Sequence, residues 1–213
     1  MKKRQIILLF MPWILLATTY FAFISFEKIM GDKLGYLLAF VFYWIFWCFL
    51  FPLMFTGRKR IKEMFSKVGL QAGKLKILAV ILLLLPPVLA LSTVFAVKIP
   101  TATVLIVLGS FAIALINGTA EELLWRGVYV REFSGKLFMG YLYPAFGFAI
   151  WHLAPQAVHP ISMPGGVLAF IFGAFFVGAC WGWVAWKTNS IRLSIFSHVL
   201  TDFLGLGATI YFL

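Results

Sequence analysis

The stretch TVLIVLGSFAIALINGTAEELLWRGVYV, residues 103–130, combines two features that decide the fold. It is apolar up to Ala120, and about 20 helical residues cross a hydrocarbon layer of about 30 Å. It then places Glu121, Glu122 and Arg126 in the same run, although an ionisable group at the centre of a span costs about 2.5–3.5 kcal/mol on insertion scales. The stretch is therefore typical of a membrane-spanning helix that carries a functional group inside the bilayer.

The rest of the chain has the same character. Its 213 residues are 63% hydrophobic and 12% charged, whereas soluble domains are about 25% charged. Apolar runs without strand-like alternation exclude both a soluble domain and a transmembrane β-barrel. Seven candidate spans follow one another, at 6–26, 34–56, 77–97, 103–130, 138–154, 167–186 and 191–213. We predict an all-α, polytopic membrane helical bundle in a single domain, 1–213, with a motif-bearing core at about 103–213.

The net charge of +11 resides in short basic segments between the spans, which excludes a nucleic-acid partner. With a cytoplasmic N-terminus, 15 of the 18 lysines and arginines fall on the cytoplasmic side, as the positive-inside rule requires. The C-terminus of a seven-span chain then lies outside. We expect residues 57–76, with Ile61, Met64, Phe65 and Val68 at helical spacing, to lie flat on the inner leaflet. No sorting motif is present, which predicts a prokaryotic plasma membrane.

Six ionisable residues fall within the predicted spans, namely Glu121, Glu122, Arg126, His152, His198 and Asp202. Glu122 precedes Arg126 by four residues, the spacing of a helical ion pair, and this leaves Glu121 unpaired. His198 and Asp202 are also four apart and share a helix face. Similar depths along the three spans predict one polar cavity within the bundle, open to the cytoplasmic side.

Several chemistries suit such a cavity. An unpaired, partly desolvated glutamate can act as a general base near neutral pH. Two histidines and a carboxylate can polarise a carbonyl, shuttle a proton, orient a water or bind a metal. Ser194 and Ser197 lie near His198, but the local sequence places no base on either hydroxyl. Water activated by Glu121 is the more economical mechanism.

Three motifs together resemble a known family. Glu121-Glu122-Leu-Leu-Trp-Arg126, Phe148-Ala-Ile-Trp-His152 and His198-Val-Leu-Thr-Asp202 are similar to the EExxxR, FxxxH and HxxxN/D motifs of the CAAX protease and bacteriocin-processing (CPBP/Abi) family of glutamic-type intramembrane proteases. The resemblance covers about residues 110–210. It implies a multi-helix membrane fold and an endopeptidase that acts on peptide or protein tails at the bilayer.

The resemblance also implies roles for individual residues. Glu121 is expected to activate water with help from His152, while His198 and Asp202 stabilise the oxyanion. Glu122 and Arg126 form the structural ion pair, and Phe148 walls the pocket. We expect no cofactor, although Glu121, His152 and His198 form a set that can ligate zinc. Asp202 departs from the usual asparagine, so it must be protonated or must act by orienting a charged His198, because an ionised carboxylate repels an oxyanion.

Purely structural roles and other functions stay open at this point. The same residues can form a structural network that only fixes helix packing. The tryptophans Trp125 and Trp151 are expected to be core residues or to lie at the membrane interface. Small residues at 174, 178 and 182 predict close helix packing without a chemical role. Clustered acids and histidines also serve proton-coupled transporters, and a catalytically silent immunity or scaffold protein can keep the same fold.

Overall fold

A computed structural model describes residues 2–66 and 73–212. Every regular element in these two ranges is a helix, which confirms the all-α prediction. Helices are the expected result, because in lipid each backbone N–H and C=O group must find its partner within the segment.

The helices, numbered in chain order, are α1 (Lys3–Met30), α2 (Asp32–Thr56), α3 (Arg58–Met64), α4 (Leu75–Thr101), α5 (Val104–Glu132), α6 (Tyr143–Trp151), α7 (Leu153–Gln156), α8 (Gly166–Thr188), α9 (Arg192–Leu204) and α10 (Thr209–Phe212). Tyr43–Leu50 in α2, Leu91–Phe95 in α4 and Leu123–Val128 in α5 wind as π-helices, and a further π-helical segment, Phe138–Leu142, leads into α6. Gly31 and Gly57 separate the first three helices with φ of 81° and 82°, which glycine adopts without strain.

Five helices, α1, α2, α4, α5 and α8, are long and apolar enough to cross a membrane. The other two predicted spans, 138–154 and 191–213, are helical but shorter than a full crossing. Helix α9 has 13 residues, or about 20 Å, and it ends before Leu206 takes a left-handed φ of 48°. Helix α6 ends at Trp151, just before His152. The prediction of seven full-length spans is therefore not confirmed.

The short helix α9 packs against longer helices on one side and exposes Phe196 on the other. It packs against α5 and α4, while α8 packs against α6 and α4, and α1 forms a hairpin with α2. Trp125 and Trp151 are both at most 1% exposed, so they are core residues rather than interfacial ones. The Tyr43 ring stacks on Trp151 at 3.9 Å, and its hydroxyl accepts a hydrogen bond from Trp125 Nε1 at 2.9 Å.

Basic segments that are distant in sequence meet at one end of the bundle, which we call the basic end (residues 2–5, 58–66, 131–136 and 187–192). Gln5 Nε2 donates to the Glu132 carbonyl at 3.3 Å, and Arg60 pairs with the Glu132 carboxylate at 3.5 Å. The Ile191 N–H donates to the Met64 carbonyl at 2.9 Å, which ties α3 to the start of α9. Of the predicted flat segment 57–76, Lys67 and Val68 lie outside the described residues.

A second set of contacts marks the opposite end, which we call the far end (residues 30–36, 156–165 and 205–211). His159 Nε2 lies 2.6 Å from Asp32 Oδ1, and the Tyr36 ring contacts both the His159 ring, at 4.5 Å, and the Tyr211 ring, at 6.1 Å. Most of the basic segments thus lie at one end of the bundle, opposite the far end.

Candidate active site

Helix α5 delivers two adjacent acids to the centre of the bundle. Glu121 is 1% exposed and Glu122 is fully buried, both just before the π-helical part of α5. Glu122 Oε1 lies 3.0 Å from Arg126 Nη1, which is the ion pair that the four-residue spacing predicts. Arg126 Nη2 also donates to the Gly178 carbonyl of α8 at 3.1 Å, and the guanidinium lies 4.5 Å from the Phe148 ring. Arg126 thus joins α5 to α8 and α6.

His198 of α9 lies among three carboxylates. Its Nδ1 is 2.9 Å from Glu122 Oε1, while its Nε2 is 3.4 Å from Glu121 Oε2 and 3.5 Å from Asp202 Oδ1. The ring stacks on Trp181 at 3.8 Å, which fixes its plane. Since a carboxylate accepts hydrogen bonds, both ring nitrogens are placed to act as donors. Glu122 therefore serves His198 as well as Arg126, a contact that the sequence did not predict.

His152 lies at the turn between α6 and α7, and its nitrogens have different surroundings. Nδ1 is 2.8 Å from the Phe148 carbonyl. A carbonyl oxygen only accepts, so Nδ1 carries the proton and Nε2 of the neutral ring is an acceptor. The ring is held between Phe148, at 4.7 Å, and Phe170, at 5.4 Å. This arrangement suits a residue that accepts a hydrogen bond from a water or a substrate N–H.

A cavity of about 400 Å³ brings part of this cluster together. Glu121, His152 and Asp202 line it, with aromatic walls that include Trp44 and Phe170. His198 is 2% exposed and lies behind the two carboxylates rather than in the cavity wall. Phe148, which was expected to wall the pocket, is not among the lining residues and instead packs against the rings of His152 and Trp181.

The position of the cavity corrects one expectation. Its lining continues through Gln156, Gly205 and Tyr211 to Tyr36, all of which belong to the far end. The basic end, which the positive-inside rule places in the cytoplasm, contributes no lining residue among the described parts of the chain. For a chain with a cytoplasmic N-terminus, the lining thus leads away from the cytoplasmic side, which differs from the expected cytoplasmic opening. At the basic end, α3 contacts the end of α5 and the start of α9.

The sequence interpretation missed Asn117, which lies one helical turn before Glu121. Its Nδ2 donates to Glu121 Oε2 at 3.2 Å and to Asp202 Oδ2 at 2.8 Å, and its Oδ1 accepts from Trp44 Nε1 at 2.8 Å. The available signal was a side-chain amide on the Glu121 face of an apolar span. It was overlooked because the search was limited to ionisable residues.

Two other chemistries find little support in the geometry. The Ser194 hydroxyl donates to the Ile191 carbonyl at 3.0 Å, and the Ser197 hydroxyl donates to the Leu83 carbonyl at 2.6 Å, so both are engaged in structural hydrogen bonds. No group of three or more His, Cys, Asp or Glu side chains in 2–66 and 73–212 is arranged to hold a metal ion. The set Glu121, His152 and His198 is not among such groups in this part of the chain.

Comparison with known families agrees with the motif resemblance. Residues 103–204 match the family model described as type II CAAX prenyl endopeptidase Rce1-like. That range contains all three motifs and ends two residues after Asp202. Comparison with curated proteins gives no match, and comparison with solved structures gives none either.

Proposed function

We propose that the protein is an intramembrane endopeptidase that cuts near the end of a membrane-associated peptide or protein, because residues 103–204 match the family model of Rce1-like type II CAAX prenyl endopeptidases. The convergence of Glu121, His152 and Asp202 on one cavity, from α5, α9 and the turn between α6 and α7, is the observation that carries the proposal. The membrane supplies the second partner, because five helices are long and apolar enough to span it.

The proposed reaction begins with a water in the cavity. Glu121 takes a proton from this water, and the water oxygen bonds to the carbonyl carbon of the scissile peptide. His152 Nε2, an acceptor, orients the same water. The proton then passes from Glu121 to the amide nitrogen, the C–N bond breaks, and a free carboxylate and a free amine leave. These steps use no cofactor.

We assign His198 and Asp202 different roles in the stabilisation of the oxyanion. The positive charge of His198, whose Nε2 faces Glu121 and Asp202, stabilises the oxyanion that forms on the carbonyl oxygen. Asp202 orients and charges His198 instead of touching the oxyanion, and its contact of 3.5 Å to His198 Nε2 supports this role. Its other oxygen accepts from Asn117, so both oxygens act as acceptors, as an ionised carboxylate would.

The substrate class and the location belong to the same proposal. The family name points to C-terminal CAAX tails that carry a prenyl group, and aromatic residues in the cavity wall suit an apolar side chain or tail. We propose a prokaryotic plasma membrane with the N-terminus in the cytoplasm, on the strength of the basic end.

Replacement of the base tests the function. We expect Glu121→Gln to lower kcat by at least about 100-fold, because the amide cannot accept the water proton. The measurement uses purified protein in liposomes with internally quenched CAAX peptides, prenylated and unprenylated. Glu63→Gln, at the exposed surface of α3, is the matched control. Equal cleavage by Glu121→Gln and the wild type would contradict the assignment, and uptake of solutes without cleavage would favour the transporter alternative.

A further inference from the structure

Asn117 makes three hydrogen bonds that together fix its orientation. An indole N–H only donates, so the oxygen of the amide faces Trp44, and the two N–H bonds must face the carboxylates of Glu121 and Asp202. The amide cannot flip without losing all three contacts. A side chain held in this way also holds its partners.

The two carboxylates need such a bridge because both approach the same atom. Glu121 Oε2 and Asp202 Oδ1 lie 3.4 Å and 3.5 Å from His198 Nε2, so two acidic groups converge in a buried space. A lysine or arginine between them would form an ion pair and weaken the base. A neutral amide instead gives each carboxylate a donor and leaves its charge in place.

The bridge also makes the two oxygens of Glu121 unequal. Oε2 is engaged by Asn117 and faces His198, whereas Oε1 is buried and has no hydrogen-bond partner in the part of the chain that the structure describes. Glu121 lines the cavity, and a buried polar atom without a hydrogen-bond partner is a natural partner for water.

We propose that Asn117 is a positioning residue that fixes the Glu121 carboxylate so that Oε1 is the atom that takes the proton from the attacking water. The inference rests on the proposed peptidase function for the reaction itself. The positioning of the two carboxylates rests only on the contacts of Asn117.

Asn117→Leu is the direct test, because leucine has a similar size and no polar atoms. A misplaced base lowers the rate without changing substrate contacts, so we expect kcat to fall by about 100-fold and KM to stay within about twofold. The probe is the quenched peptide that the wild type cleaves fastest in the CAAX panel. A wild-type kcat in a folded Asn117→Leu protein would overturn the proposal.

Trp44→Phe gives a second test that leaves Asn117 in place. The phenylalanine ring keeps most of the volume but cannot hold the amide oxygen, and we expect kcat to fall by about fivefold, the worth of one hydrogen bond. Trp47→Phe is the matched control on the same helix, since its indole N–H donates to Thr18 at 3.1 Å and does not reach the cavity. Equal kcat values for these two variants would also overturn the proposal.

Carbodiimide labelling separates this inference from the function. Dicyclohexylcarbodiimide reacts with protonated carboxyl groups, and loss of the amide donor disfavours the ionised form. We expect mass spectrometry to show labelling of Glu121 and Asp202 that is severalfold faster in Asn117→Leu than in the wild type. If it is faster while the wild type cleaves no peptide, the positioning role stands and the peptidase proposal fails. Unchanged labelling overturns the positioning role whatever the activity.

Discussion

At the scale of single residues, Glu122 connects the framework of the site to its chemistry. One carboxylate oxygen, Oε1, lies 3.0 Å from Arg126 Nη1 and 2.9 Å from His198 Nδ1. The ion pair within α5 therefore also sets the position of a histidine on α9. Buried charges are costly unless they are paired, and removal of Arg126 leaves Glu122 with His198 as its remaining partner.

We expect Arg126→Ala to destabilise the protein by about 3–5 kcal/mol, the usual cost of breaking a buried ion pair by removing one partner. Arg60→Ala is the matched control, because the Arg60 side chain is 50% exposed in its pair with Glu132. Exposed pairs contribute about 0–1 kcal/mol. Unfolding by denaturant in detergent, followed by tryptophan fluorescence, measures both. Similar losses of unfolding free energy in the two variants would contradict a larger contribution of the buried pair.

The sequence predicted the contacts of this cluster that lie within one helix and missed those between helices. Glu122 with Arg126 follows from a fixed spacing of four residues on α5. The contact of Glu122 with His198 joins residues 76 positions apart, and it depends on how α9 seats against α5. Three residues named by the motif resemblance, Glu121, His152 and Asp202, line the cavity, but no local rule could show that His198 lies behind Glu121 instead of across from it.

At the scale of elements, the small residues of α8 do more than allow close packing. A methyl group at Gly178 would lie 2.9 Å from Phe148 Cδ1 and 3.1 Å from Arg126 Nη2. The gap on α8 thus holds the side chain that pairs with Glu122 and the ring that supports His152. The sequence interpretation of 174, 178 and 182 as a packing stripe is too narrow, because the packed atoms belong to the site.

We expect Gly178→Ala to destabilise the protein by about 1–3 kcal/mol through overpacking and to lower kcat as Arg126 and Phe148 move. Gly173→Ala on the same helix is the matched control, since nothing lies within 4 Å of its added methyl group. Alanine at that position should stabilise the helix by about 0.5–1 kcal/mol. Thermal unfolding and peptide cleavage of both variants check this. Equal effects would show that the contacts at 178 are relaxed at no cost.

Two elements explain why seven full-length spans are not confirmed. Hydropathy counts α6 and α9 as spans because their residues are apolar, yet both helices are short and pack against longer ones. Each breaks beside a site residue, α6 at His152 and α9 two residues after Asp202. Short helices that end within the bundle place the site residues at their ends next to the cavity. A hydropathy window cannot distinguish such helices from full membrane crossings.

At the scale of the whole molecule, charge and cavity lie at opposite ends. At the basic end, α3 contacts the end of α5 and the start of α9, while the far end carries the lining residues Gln156, Gly205 and Tyr211. The distribution of charge could be predicted from the sequence, because the charge of each segment depends only on the residues of that segment. The end of the bundle to which the cavity leads could not be predicted, because the cavity lining depends on how helices that are distant in sequence pack together.

The opposite positions of the basic end and the cavity predict from which side of the membrane the cavity is accessible. Gln156→Cys places a thiol in the cavity wall at the far end, and Lys59→Cys places one on the exposed surface of the basic end. The native Cys48 and Cys180 are buried, so the parent protein is the blank. With the basic end in the cytoplasm, a charged, membrane-impermeant maleimide should label Gln156→Cys in intact cells. It should label Lys59→Cys only after the cells are made permeable. The reverse pattern would place the cavity on the cytoplasmic side and the N-terminus outside, because the two ends are fixed relative to each other by the same helices.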